Sequence, residues 1–242
     1  MKNPILLACL VALAATPGLG ATLSMVSFNV ENYQKATSTG VIATENFETF
    51  GEGNVADGFT TGVGAFASLG GMGSGGTIKN ADFENDGSLL AVRDSRVYGR
   101  RSTTQYLTGH AGAAAYLDSN ATEGIGWTAS AAGGMFNRLV FSLTDAADEG
   151  GILELVVGDV LYRLENQRAG KKWLVTIDLE EAVSSVSVFF RNVDANGGLI
   201  SGDGFSLDDI ALADVPLPAS AALLLAGLGG IAVFRRKGSA KA

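Results

Sequence analysis

From residue 138 onward the chain alternates apolar and polar positions with a period of two. "RLVFSLTD" (138–145) sets Leu139, Phe141 and Leu143 on one side of an extended segment. "GILELVVGDVLYRLEN" (151–166) is two such runs separated by Gly158-Asp159, which predicts a hairpin closed by a two-residue type II′ turn. "KWLVTIDLE" (172–180), "SSVSVFFRN" (184–192) and "GFSLDDIALA" (204–213) follow at close spacing. Weaker strand signals precede them in "NFETF" (46–50), "SLLAVRD" (88–94) and "TTQYLTG" (103–109), while the Gly-rich stretch 60–76 reads as a loop. No long 3.6-residue periodicity interrupts these runs and no internal repeat appears. The pattern predicts an all-β, antiparallel, jelly-roll-like sandwich over residues 22–214.

Both ends break the alternation. Residues 1–21 hold Lys2, an apolar run and the small residues Gly18, Gly20 and Ala21, the layout of a secretory signal peptide. Cys9 lies in that run and raises a lipoprotein alternative, which the bulk of Leu7 and the short preceding segment disfavour. At the other end stand Val215, Pro216, Leu217, Pro218 and Ala219, an apolar stretch over 219–234, and the basic stop Arg235, Arg236 and Lys237. Sixteen apolar residues in a helix reach about 24 Å, a short single span, with the basic end held in the cytoplasm. The segment 215–242 resembles the VPLPA-CTERM sorting signal, a PEP-CTERM-like type found in Gram-negative bacteria. The resemblance implies a membrane-anchored precursor, an exosortase-like processing enzyme as partner, and delivery to the cell surface or extracellular matrix.

Charge narrows the partners. Between residues 22 and 218 there are 25 acidic and 12 basic side chains, about −13 in all, which disfavours nucleic acid and favours cations. With Cys9 as the single cysteine no intramolecular disulfide forms, and a zinc site in the mature chain is excluded.

Catalytic signatures are weak. "GMGSGG" (71–76) has dinucleotide-loop spacing but no helix signal after it, no G-x-S-x-G occurs, and His110 is the single histidine. The acidic pairs Glu45/Glu48, Asp145/Asp148 and Asp208/Asp209 are the candidates for glycoside hydrolysis. "DAADEGG" (145–151) and "DANGGLISGDG" (194–204) are oxygen-rich turns suited to calcium, or turns in which Asp and Asn set the geometry. Neither matches an EF-hand, since Leu199 and Phe205 stand where Gly and Glu are required.

"DGFSLDDI" (203–210) is similar to the final strand of jelly-roll surface modules of the MAM and carbohydrate-binding type, which pair an Asp-Asp with an early Phe-Glu, here Phe47 and Glu48. Strict alternation puts Phe205, Leu207 and Asp209 on one face and Ser206, Asp208 and Ile210 on the other, so one aspartate points inward and needs a partner such as Glu48 or calcium. The candidate calcium set is Glu48, Asp203, Asp208 and Asp209. Arg93, Arg96, Arg100 and Arg101, beside Tyr98 and Tyr106, form a candidate site for an acidic polysaccharide, with pairing to nearby acids as the plain alternative. Trp127 and Trp173 are expected in the core.

The expectation is therefore an exported, non-enzymatic surface or matrix protein that interacts with polysaccharide. A structural or adhesive protein-binding role and an extracellular glycan hydrolase are the alternatives.

Overall fold

The computed structural model describes residues 20–73, 87–109 and 114–216. The signal segment 1–19 with Cys9, the run 74–86, His110, and the stretch 217–242 lie outside the described residues. That last stretch holds Leu217, Pro218, Ala219, the apolar run and Arg235, Arg236 and Lys237.

The described elements run β1 (Ala21–Ser27), α1 (Val30–Ala36), β2 (Val41–Glu45), β3 (Gly53–Val55), β4 (Phe59–Thr61), β5 (Gly64–Ser68), β6 (Leu90–Arg93) and α2 (Thr104–Thr108). They continue with β7 (Tyr116–Asp118), β8 (Gly124–Ser130), β9 (Phe136–Thr144), β10 (Ile152–Val157), β11 (Val160–Glu165), β12 (Lys172–Val183), β13 (Ser185–Val193) and β14 (Ser206–Ala213). One sheet has the order β1-β12-β9-β14-β7-β6-β3 with β2 also on β14; the other has the order β11-β10-β13-β8-β5-β4. These pairings are antiparallel. The all-β sandwich read from the alternation is the architecture found.

Period-two patterning does what it predicts at the centre. Leu139, Phe141 and Leu143 of β9 enter the core with Leu153 and Leu155 of β10 and Val188 and Phe190 of β13. Rings from both sheets interlock across it: Phe66 stacks on Trp127 at 5.6 Å, Trp127 meets Phe141 edge-on at 6.0 Å, and Phe141 meets Phe190 at 5.3 Å. Fully burying each such ring contributes roughly 1.5–3 kcal/mol. Trp127 is core as expected, its indole donating to the Val63 carbonyl at 3.0 Å, and Trp173 packs partly buried against the same cluster. The hairpin at Gly158 forms with Val157 opposite Val160, and the left-handed φ of +56° falls on Gly158 and not on Asp159, as a type II′ turn requires.

The outer face of the larger sheet is covered. Val140, Leu174 and Ala211 pack beneath Phe28, Tyr33 and Ala36 of the α1 region. Asn29 starts that helix by accepting the Asn32 amide at 2.7 Å.

Three local expectations are corrected. Residues 46–50 turn instead of extending: Glu45 Oε1 accepts the amides of Asn46 and Phe47, and Phe47, with φ +59°, swings into the core. Residues 103–109 hold the short helix α2, because Asp208 takes the amides of Thr103 and Thr104 that a ladder would need. The Gly-rich loop contains strand β5, where Gly64, at φ +116°, passes so close to β8 that a Cβ would stand 2.0 Å from the Thr128 carbonyl oxygen.

The chain leaves the domain under restraint. The Asp214 amide donates to the Gly40 carbonyl at 2.8 Å, and Asn137 grips Val215 on both its amide (2.8 Å) and its carbonyl (2.7 Å).

Candidate functional site

Strand β14 carries the Asp208-Asp209 pair through an irregularity. Asp208 lies opposite Ser142 and Ala211 opposite Val140, so β14 spends one extra residue there, and Asp209 takes φ +48°. Alternation fails at this bulge, and both aspartates are buried, at 1% and 3% exposure. Asp208 Oδ2 accepts Ser102 Oγ at 2.5 Å, the Thr103 amide at 2.8 Å and the Thr104 amide at 3.2 Å, while its Oδ1 accepts the Asp209 amide at 2.7 Å.

Proton counting bears on the charge state of the pair. Thr103 Oγ1 lies 2.5 Å from both Ser142 Oγ and Asp209 Oδ2, and Ser142 Oγ donates to the Asp208 carbonyl. Thr103 Oγ1 donates to Asp209 Oδ2, and a proton on Asp209 would let all three contacts be hydrogen bonds at once. Burial first, then the neighbouring like charge, hold Asp208 above the usual carboxylate range; burial raises Asp209 as well, with Glu48 adding repulsion. Asp208 is the better supplied with amide donors, so a pair holding a single charge would place it there. Burial and the two aspartates together also push the Tyr33 phenol up.

This geometry does not suit calcium. A cation against either oxygen of Asp208 would meet amide hydrogens. Glu48 is turned to the Ala115 amide at 2.9 Å, and Asp203 belongs to another neighbourhood. The four-residue set read from the sequence is therefore not one site. The hydroxyls of Ser102, Thr103, Thr104 and Ser142 are the partners that sequence reasoning missed, and no motif marks them.

The arginine run is also divided. Arg93 and Arg100 are buried, at 0% and 2% exposure, and both bind Asp118: Arg93 through Nε, Arg100 through Nη1 at 2.8 Å. Arg93 Nη2 reaches Asn120 Oδ1 at 2.9 Å, and the Asn120 amide donates to Asp118 at 2.8 Å. These two arginines hold the fold and are out of reach of a polymer.

Arg96 and Arg101 stand differently. They line a cleft of about 320 Å³ with Gln105, Ser102, Asp94 and Tyr116, and Arg101 Nε is buried without a hydrogen-bond partner. Arg96 donates to the Tyr98 carbonyl at 2.6 Å; Tyr98 is 66% exposed. Arg101 Nη2 lies beside Gly170, in the loop that continues into Lys171 and Lys172, and Lys172 sits 5.0 Å from the Tyr106 ring. Basic groups thus lie near the exposed ring of Tyr106, while the Tyr98 ring, 5.6 Å from the Arg100 guanidinium, borders the neighbouring cleft.

A second cleft, of about 240 Å³, is lined by Asp145, Asp148, Glu149, Tyr98 and Arg100. Asp145 receives the Gly99 amide at 3.0 Å and the Gly170 amide, and burial raises its pKa to about 6. Asp203 is raised to about 7, by burial and then by Asp148.

The PEP-CTERM protein-sorting motif matches residues 214–237. That motif is a signal for export, sorting to the surface and processing by an exosortase. No curated protein matches the chain. Among solved structures, the chain is similar to the catalytic domain of a GH87 alpha-1,3-glucanase in complex with tetrasaccharides, at 9% identity and a TM-score of 0.25, over 83% of this chain and 30% of that one. Likeness at that score bears on neither fold nor activity. Among the described residues, no helix is long and apolar enough to cross a membrane.

Proposed function

We propose that this exported protein is a non-enzymatic component of the cell surface or extracellular matrix, and that it binds an acidic polysaccharide at the cleft of Arg96 and Arg101. The observation that carries the reading is the pairing of Arg96 and Arg101 on one cleft, with Arg101 Nε lacking a hydrogen-bond partner, in a domain whose other charges are mostly acidic. A guanidinium in that position is matched by a sugar carboxylate, which offers two acceptor oxygens. Tyr98 and Tyr106 offer ring faces for the sugar, and Lys171 and Lys172 extend the positive surface. Asp94 on the cleft wall selects against close approach of further anionic groups on that side. An all-β antiparallel sandwich supports a surface module of this kind, and the apolar run at 219–234 is taken to anchor the precursor before processing.

The test is binding of the purified protein to uronic-acid polysaccharides and to neutral glucans, with an Arg96→Ala/Arg101→Ala double variant. Selective binding of the acidic polymers, weakened at least tenfold in the variant and by added salt, is expected. Equal binding of neutral glucans, or an unaffected variant, overturns the reading. A hydrolase would release reducing ends during the same incubation, and none is expected.

A further inference from the structure

Asp214, Val215 and Pro216, the first residues of the sorting-motif match, belong to the described part of the chain. The ladders of β14 end one residue earlier, with Ala213 opposite Arg138 of β9 and Val41 of β2. Strand-like bonding nevertheless runs on into the motif. The Asp214 amide donates on the β2 side, to the Gly40 carbonyl at 2.8 Å, and Val215 bonds on the β9 side, to Asn137. Successive residues of a strand between two partners alternate sides in this way.

On the β9 side a side chain stands in for the backbone. The carboxamide of Asn137, 7% exposed, accepts the Val215 amide at Oδ1 (2.8 Å) and donates through Nδ2 to the Val215 carbonyl (2.7 Å). A carboxamide has the acceptor and the donor of a peptide unit, so Asn supplies both bonds, whereas an ionised Asp only accepts. Pro216 acts in the same direction: it has no amide to donate, and it confines Val215 to extended conformations. Val215 and the exposed Pro216 also line a cleft of about 280 Å³ with Thr22 and Asp178, so the held residues stay within reach of a partner.

We infer that Asn137 is a positioning residue for processing of the sorting signal, presenting the head of the motif to the exosortase as an extended strand. Binding of an extended segment costs less when its conformation is already fixed. Val215 uses its main-chain groups on Asn137, so the enzyme's own main-chain contacts begin after it. The inference rests on the processing part of the reading above and is independent of the arginine cleft.

The experiment follows conversion of the full chain to its processed form by pulse-chase, in cells that carry the sorting system. Hydrogen exchange of the Val215 amide is measured alongside, in the purified precursor. Asn137→Ala should speed that exchange at least about tenfold and slow processing at least about threefold. Gly40→Ala dislodges Asp214 by another route and should slow processing too, since at φ +69° its Cβ would stand 2.0 Å from the Asp214 carbonyl oxygen. Val186→Ala, a core truncation in the other sheet, controls for lost stability and should be processed at the wild-type rate. Asn137→Asp, nearly the same shape, serves if Asn137→Ala does not fold. Its Val215 amide should regain protection only at a pH low enough to protonate the new carboxyl, which then both donates and accepts. A processed wild type with an unaffected Asn137→Ala, or equal slowing in Val186→Ala, overturns this inference alone. A wild type that is never processed overturns the processing reading with it.

Discussion

Replacing Asp208 and Asp209, one at a time, by asparagine separates two residues that look equivalent in the sequence. Asn at position 209 can donate through Nδ2 to Thr103 Oγ1 and accept from Thr104 Oγ1, which stands 2.8 Å from Oδ1, so it copies the protonated aspartic acid. It also tolerates the left-handed backbone of that position. Asn at position 208 has one acceptor oxygen where two are used. Either the amides of Thr103 and Thr104 or the amide of Asp209 then face an NH2 group. One buried orphaned donor costs about 1–3 kcal/mol. At about 2 kcal/mol, and with a Tm shift of roughly 2–4 °C per kcal/mol for a protein of this size, Asp208→Asn should melt about 4–8 °C below the wild type at pH 7. Asp209→Asn should melt at or above the wild-type temperature. Circular dichroism melts, checked by urea unfolding with an unchanged m-value, measure both. Equal losses in the two variants, or a larger loss in Asp209→Asn, would refute the placement of the proton.

Other outcomes follow from the same geometry. A carboxyl held above its ordinary pKa is protonated in both folded and unfolded chains at low pH, and costs stability as pH rises from about 4, where the unfolded chain ionises first; the stability advantage of Asp209→Asn over the wild type should therefore grow between pH 4 and 7, and a flat difference in urea titrations counts against it. Asp118→Asn strips the carboxylate from two buried guanidinium groups, so a loss of about 3–5 kcal/mol is expected by chemical denaturation, and a loss under 1 kcal/mol would show that Arg93 and Arg100 are balanced otherwise. Mass spectrometry of the surface-delivered protein should find residues 219–242 missing; an intact tail would make the terminal segment a permanent anchor.

How much of this was legible depended on whether one strand carried the whole signal. In β9 and β13 every second side chain enters the core, so Leu139, Phe141, Val188 and Phe190 announce their strands. Strand β8 has the same alternation in Ile125, Trp127 and Ala129, but Gly124 and Gly126 occupy the intervening positions and read as turn residues. Strand β7 is three residues long, too short for a period to show. The candidate sites were harder because their partners are remote. Arg93, Arg96, Arg100 and Arg101 look like one patch by spacing, yet Asp118, 25 and 18 residues from the two it binds, divides them. The bulge at Asp209 likewise breaks the alternation on which an inward and an outward aspartate were distinguished. The acidic turns were readable one by one. Their meeting depends on the register of β9 against β14, which no local pattern encodes.

The last strand of the domain is an interior strand of its sheet. β14 lies between β9 and β7, with β2 against part of it, and ends at Ala213, two residues before the gripped Val215. During export, β9 and β7 therefore wait for a partner that arrives at the very end of the chain, immediately ahead of the sorting motif. A product truncated anywhere before residue 204 leaves a gap in the middle of the larger sheet, not a frayed edge. Completion of the domain and presentation of its address to the processing enzyme thus become nearly the same event, which gives the pathway an intrinsic check on full-length synthesis. With Val215 held, the sorting motif begins on the folded body itself, so its first residues reach the processing enzyme already tied to the domain.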